Sequence, residues 1–131
     1  MKQISVIANN RMGLVAEITT LLAGHEINII SLDAESVDDN AVVVLTVAEY
    51  EDAFRLLQSM DDVSVISEDI ILVKLTDKPG ALAEVAARFK DAGVAMQSMH
   101  IIGRGPEQSV VAISAERASE ARELVEDLLI S

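Results

Sequence analysis

Short apolar stretches alternate with amphipathic ones along this chain, and the whole series runs twice. Gln3 to Ala8 and Ile70 to Leu75 are rich in β-branched residues and suit half-buried strands. A polar turn follows each, Asn9-Asn10-Arg11-Met12-Gly13 in one copy and Thr76-Asp77-Lys78-Pro79-Gly80 in the other. These residue types tolerate unusual backbone angles and cap helices. Apolar positions with helical period come next: Leu14, Ile18, Leu21 and Leu22, then Leu82, Val85, Ala86 and Phe89. The helices are expected to end near Gly24 and Gly93, with second strands at Asn28 to Ala34 and Met96 to Ile102. Turns at Asp38-Asp39-Asn40 and Gly103-Arg104-Gly105-Pro106 lead to third strands at Ala41 to Val47 and Ser109 to Ser114. Second helices follow, on Ala53, Leu56, Leu57 and Met60 and on Ala121, Leu124, Val125 and Leu128.

The copies register at an offset of 67 residues. Gly13-Leu14-Val15-Ala16-Glu17-Ile18 falls on Gly80-Ala81-Leu82-Ala83-Glu84-Val85, Ser31 on Ser98, and Val43-Val44 on Val110-Val111. The expected fold class is α+β: two ferredoxin-like βαββαβ units in tandem, residues 1–67 and 68–131, with antiparallel sheets and helices on one face. Val63-Ser64-Val65-Ile66 supplies the fourth strand of the first unit. The same offset carries Val63 onto Ile130, one residue before the end, so the second unit lacks its last strand. Its first strand then presents an open edge, a template for pairing. Either a homodimer covers it, or Val63 to Ile66 runs on through Glu68-Asp69 to serve the neighbouring unit.

Composition narrows the function. Half of the residues are hydrophobic, but there is one Tyr, two Phe and no Trp. A net charge of −12 repels phosphate backbones, so nucleic acid is an unexpected partner. RNA-binding versions of this fold also need aromatics on the sheet. Without cysteine there is no disulfide framework and no thiolate metal site. No apolar run approaches the roughly 20 residues that span a bilayer, and the N-terminus lacks a signal-peptide pattern. A cytoplasmic location away from membranes is expected.

Nucleophile, acid–base and phosphate-loop motifs are missing, which argues against an enzyme and against a cofactor. His25 sits at a helix end, where a cation suits the dipole, and His100 falls within a strand. Both read as structural or surface residues. Asp38-Asp39 and Asp61-Asp62 lack calcium-loop spacing and read as solvated turns. The turns before the first helices are different. A glycine there opens backbone angles closed to other residues, and the free N–H groups of the first helical turn attract a carboxylate. A glycine at that place also serves a tight turn on its own.

Asp77-Lys78-Pro79-Gly80 followed by an apolar helix, Gly93-Val94 and another strand resembles the ACT domain, a regulatory module that typically binds amino acids. Asn10-Arg11-Met12-Gly13-Leu14, with Ile27-Asn28-Ile29 later, resembles it a second time. The resemblance covers nearly the whole chain and stops at the absent last strand. In the serine-sensing ACT domain of phosphoglycerate dehydrogenases, one Asn in the turn and one opening the second strand contact the ligand. The resemblance therefore implies a site formed by Asn10, Arg11, Met12, Gly13 and Leu14 with Asn28 and Ile29. A counterpart at Asp77, Lys78, Pro79, Gly80 and Ala81 has lost both Asn, since Ala95 replaces the second.

Eleven acids and three bases in residues 1–66, against eleven and seven in 67–131, disfavour a dianion and tolerate a zwitterion. The implied protein is a non-catalytic regulator that binds a small amino acid and signals through oligomerisation or contact with a metabolic enzyme. The alternative is an interaction subunit of an amino-acid biosynthetic enzyme with no ligand of its own. A small enzyme or metal carrier of the same fold is a more distant reading.

Overall fold

The computed structural model describes residues 2–67 and 69–130. The chain divides into two compact units, Met1–Glu68 and Asp69–Ser131. In the first, β1 (Gln3–Asn9), α1 (Leu14–Gly24), β2 (Ile29–Val37), β3 (Asn40–Val47), α2 (Tyr50–Gln58) and β4 (Val63–Ile66) form a sheet of order β2-β3-β1-β4. Every pairing is antiparallel. Alternation along the strands sends Ile4, Val6, Ala8, Val43, Leu45 and Val47 to one face, where they meet Leu14, Ile18 and Leu22 of α1 and Ala53 and Leu57 of α2. Burial of each such aliphatic side chain contributes about 1.5–3 kcal/mol. Both helices therefore lie on one face of the sheet.

The second unit contains β5 (Ile71–Thr76), α3 (Ala81–Ala92), β6 (Met96–Arg104), β7 (Gln108–Ala115) and α4 (Ala118–Leu124), with sheet order β5-β7-β6. Ile71, Val73, Leu75, Val111 and Ile113 face Val85 and Phe89 of α3 and Ala121 and Val125 at the end of α4. Leu82 and Ala86, which periodicity places on the core face, are exposed instead. The narrower buried stripe of α3 runs through Val85 and Phe89 alone.

Strand pairing corrects the repeat. Val6 pairs with Val43 and Val73 with Val111, so the third strands and second helices are offset by 68 residues, and Val43 corresponds to Val111 rather than Val110. The extra residue lies in β6. Both second strands carry a bulge at equivalent places, Ile29/Ser31 and Met96/Ser98, and β6 carries another at Ile101/Gly103. Next to the shared bulge a hydroxyl pair recurs, Ser31 with Thr46 and Ser98 with Ser114. The second strands also run further than expected, to Val37 and Arg104, and Asn40 belongs to β3 rather than to the turn.

Among the described residues the second unit has no fourth strand. In its place a single 3₁₀ turn, Glu126–Leu128, leads to one antiparallel bridge between Val73 and Leu129, and Ile130 N–H donates to Leu72 C=O at 3.0 Å. In the first unit Val6 pairs with Val65 and Ser5 with Ile66. Leu129 and Ile130 thus stand for the end of the missing strand, not its beginning. Four residues of offset are lost between α4 and that point, from 68 to 64. β4 itself pairs with β1 of its own unit; Glu68, through which the chain continues, lies outside the described residues.

Candidate functional site

Gly13 heads α1 with φ 86° and ψ 3°, and no side chain caps the helix. A Cβ there would meet nothing within 4 Å, so the left-handed backbone alone calls for glycine. The first N–H groups of α1, on Leu14, Val15 and Ala16, have no acceptor one turn back, and the helix dipole adds positive potential there. Asn10 is fastened twice: its N–H donates to Asp39 C=O at 2.6 Å, and its side-chain amide donates to Ser36 Oγ at 3.3 Å. Arg11 folds onto Glu17, with Nε and a terminal nitrogen 3.1 and 2.9 Å from the same carboxylate oxygen. Met12 projects fully into solvent.

Between the head of α1 and the sheet lies a hollow of about 270 Å3, lined by Asn10, Arg11, Gly13, Leu14, Val15 and Ala16 on one side. Ala34, Glu35, Ser36, Ala41 and Val43 line the other. The strand residues were missed from sequence, yet topology gives them. A crossover helix between β1 and β2 makes these strands parallel, which brings both carboxyl ends to the head of α1. Asn28 and Ile29 lie at the opposite end of β2, where Ile29 pairs with Val47 and Asn28 C=O accepts from Ala48 N–H at 3.4 Å. With about 3.3 Å of rise per strand residue, that is roughly 20–25 Å from Asn10. The unit does not bring Asn10 and Asn28 together.

The far end of the first unit has its own concavity, about 550 Å3, lined by His25, Glu26, Glu49, Asp52, Arg55 and neighbours. His25 Nδ1 lies 3.1 Å from Leu21 C=O, a helix-end contact. Among the described residues no group of three or more acidic or histidine side chains is placed to hold a metal ion, and no helix is long and apolar enough to cross a membrane.

The second turn keeps the backbone and changes the side chains. Gly80 has φ 89° and ψ −12°, and Asp77 N–H donates to Glu107 C=O at 2.8 Å, as Asn10 does to Asp39. The tie from turn to second strand is ionic here: Arg104 donates to Asp77 at 3.4 Å. Ala81 N–H is taken by Lys78 C=O at 3.3 Å. Glu84, in the place of Glu17, pairs with Arg88. The Lys78 ammonium has no ion-pair partner among the described residues.

The Arg88 guanidinium holds its proton more tightly than an isolated arginine does. Hydrogen bonding to Asp127 is the main cause, and the same bond lowers the Asp127 carboxyl. This pair ties α3 to the segment that follows α4.

A four-stranded β2-β3-β1-β4 antiparallel sheet with two helices on one face is the arrangement of a ferredoxin-like βαββαβ module. Within that class, residues 2–64 match the family model of the ACT domain. The first unit is thus an ACT domain over nearly its whole length, and among the described residues the second unit repeats its element order without the last strand. No curated protein matches the sequence significantly. Among solved structures, a protein from Bacteroides thetaiotaomicron is 24% identical, with 96% of this chain and 86% of that one aligned at a TM-score of 0.48. The ligand-free regulatory subunit of aspartate kinase from Thermus thermophilus is 18% identical over 96% of this chain and 91% of that one, TM-score 0.43. The small subunit of acetolactate synthase from Thermotoga maritima is 18% identical over 97% and 85%, TM-score 0.45.

Proposed function

We propose that this chain is a non-catalytic regulator whose first unit binds a small amino acid in the hollow at the head of α1. The observation that carries this reading is the uncapped helix terminus behind Gly13, opening on about 270 Å3 with Asn10 held at its rim. Ligand pockets for drug-sized molecules start at about 300 Å3, so this one suits a small ligand. The carboxylate sits on the free N–H groups, where the dipole contributes about 0.3–1 kcal/mol. The Asn10 amide offers both a donor and an acceptor to the zwitterion. Ala34, Ala41 and Val43 leave room for a short side chain. Asn28 and Ile29 take part only if a second copy brings their end of a sheet to this hollow, which is one reason to expect a homodimer. Signalling then runs through assembly or through contact with a metabolic enzyme, in the cytoplasm.

Calorimetry against the twenty amino acids tests the reading. A small amino acid is expected to bind with a Kd below a few millimolar, and Asn10→Ala is expected to weaken it by about 1 kcal/mol, roughly fivefold. Absence of binding tighter than about −4 kcal/mol removes the sensor. Fully exposed Met12 beside exposed Val15 favours a second reading, in which the tip of the turn docks on an enzyme subunit without ligand. Ligand-independent co-purification that is lost in Met12→Ser distinguishes the two.

A further inference from the structure

Arginines close the seam between the two helices of the second unit. Arg117, just before α4, donates to Gly93 C=O at the exit of α3, at 2.8 Å. Arg88, on α3, donates to Leu124 C=O at the end of α4, at 3.0 Å, and to Asp127 at 2.7 Å. Each helix thus ends on a guanidinium from the other side of the seam, a donor for carbonyls that no helical N–H can reach. Neither arginine has a counterpart in the first unit. Glu49 stands before α2 where Arg117 stands before α4, and Leu21 precedes Leu22 on α1 where Arg88 precedes Phe89 on α3. The Glu26 exit, equivalent to Gly93, therefore receives no guanidinium, and Leu56 C=O, equivalent to Leu124, is bonded by Ser59 instead.

The seam is open where those arginines are missing. The concavity of about 550 Å3 lies at its Glu26 and Glu49 end, and a second of about 520 Å3, lined by Glu17, Leu21, Met60, Asp61 and Asp62, lies at the other. Ser59 lines both, so they form one groove, with Leu21, Ile27, Leu56 and Met60 as its apolar residues. Each half holds three carboxylates and one arginine. That arginine is already paired within its own half, Arg55 with Asp52 at 3.4 Å and Arg11 with Glu17 at 2.9 Å. Glu26, Glu49, Asp61 and Asp62 have no ion-pair partner among the described residues. We infer that this groove takes an arginine-bearing segment of a partner protein, its guanidinium groups filling the two places that Arg117 and Arg88 fill in the second unit. One is met by Glu26 C=O, Glu49 and Asp52, the other by Asp61 and Asp62 beside Leu21 and Met60. A planar guanidinium forks to such oxygens while its stem covers apolar side chains. A second copy of this chain is the wrong occupant: it carries a charge of −12, and every arginine in it is engaged within the chain. From Asp52 to Ser59 the chain of α2 rises roughly 10 Å at about 1.5 Å per residue. Roughly three residues of extended chain cover that distance, so the segment carries its arginines about three positions apart. The groove shares only Arg11 with the hollow at the head of α1, and its occupancy does not depend on a ligand there.

Amide chemical shifts of the full chain, titrated with the acetylated and amidated peptide Arg-Leu-Ala-Arg, test this. The peptide has no free carboxylate or α-amino group and so does not mimic an amino acid. Its failure leaves the first-unit sensor standing, and failure of the sensor leaves the groove. Saturable shifts are expected at Ile27, Asp52 and Asp61, half complete below about 5 mM peptide and weakened by salt. The peptide Lys-Leu-Ala-Lys is expected to bind at least about threefold more weakly. Glu49→Arg is expected to weaken binding at least about fivefold, whereas Glu51→Arg, the same charge change on α2 outside the groove, leaves it within about twofold. Leu21→Arg together with Glu49→Arg installs the bridges of the second unit, and is expected to abolish binding while keeping or raising the melting temperature. Equal binding by the lysine peptide, equal losses in Glu49→Arg and Glu51→Arg, or no saturable shift at about 10 mM overturns the inference. Groove amides that shift with protein concentration alone also overturn it, because the occupant is then a second copy.

Discussion

The two units share their backbone hydrogen bonds more closely than their side chains. Asn10 and Asp77 make the same N–H bond to the hairpin across the sheet, but one secures its side chain by a neutral amide and the other by an ion pair. Leu22 and Phe89 fill the same core position, and Glu26 and Gly93 the same left-handed helix exit. The exits are bonded alike, Ile27 N–H to Leu22 C=O at 2.9 Å and Val94 N–H to Phe89 C=O at 3.0 Å. Register and burial, not residue identity, specify the module. Where the units do part company, at the fourth strand, the second gives up the pairs at Ile7 and Ala8 that Ser64 and Val63 close in the first. Lys74 stands there in place of Ile7. A lysine on a strand left unpaired discourages edge-to-edge association.

Losing a strand leaves the second core more dependent on its largest side chain, so the largest expected effect is at Phe89, 2% exposed. Phe89→Ala is expected to cost about 3–5 kcal/mol, against about 2–5 for Leu22→Ala. A unit of this size has little stability to spare. Urea unfolding followed by amide signals of each unit measures both. A smaller loss for Phe89→Ala than for Leu22→Ala breaks the proposed asymmetry.

Most of the fold was legible because each strand and helix carries its own period, and the glycines at 13, 80 and 93 mark real left-handed positions. Two features of the fold were hidden. The bulge at Ile101/Gly103 shifts the repeat by one residue without disturbing the apolar alternation that sequence reading relies on. Exposure of Leu82 and Ala86 depends on how far α3 is covered, which period alone does not report. Of the residues lining the candidate hollow, sequence names Asn10, Arg11, Gly13 and Leu14, while Ala34, Glu35 and Ser36 reach it through the parallel crossover. Asn28 lies at the amino end of β2, whereas a helix-crossed strand meets the glycine turn of its own unit with its carboxyl end.

Helix exits offer a smaller and reversible test. Glu26 holds φ 58° where Gly93 holds φ 70°. A non-glycine residue in this region bears about 1–2 kcal/mol of strain, partly offset by the greater freedom of glycine in the unfolded chain. Glu26→Gly is expected to stabilise the first unit by about 0.5–1 kcal/mol. Gly93→Glu is expected to destabilise the second by a similar amount, since a Cβ at Gly93 meets nothing within 4 Å and only the backbone resists. Thermal melts of both variants read the difference. Equal signs for the two substitutions undo the equivalence of the exits.

The smallest expected effect concerns how the second unit holds its vestigial strand. Arg88 donates to Asp127 at 2.7 and 3.1 Å and to Leu124 C=O at 3.0 Å, tying α3 to the segment that delivers Leu129 and Ile130 to β5. Because that bond lowers the Asp127 carboxyl below its ordinary value, its contribution is fully present above the unfolded carboxyl's titration near pH 4. The contribution is lost as pH falls through the lower folded value. Asp127 is exposed, so salt screens the pair and the effect on global stability is slight. Local opening is the sensitive measure: after allowance for intrinsic exchange rates, Ile130 N–H is expected to lose protection below about pH 4, whereas Ile66, its counterpart in β4, keeps it. Asp127→Asn is expected to show the acid behaviour already at neutral pH. Arg88→Ala goes further, because it also removes the bond to Leu124 C=O. If Ile130 stays as protected as Ile66 in Arg88→Ala, the chain end is held by its two residues of pairing alone, and the ion pair is incidental to it.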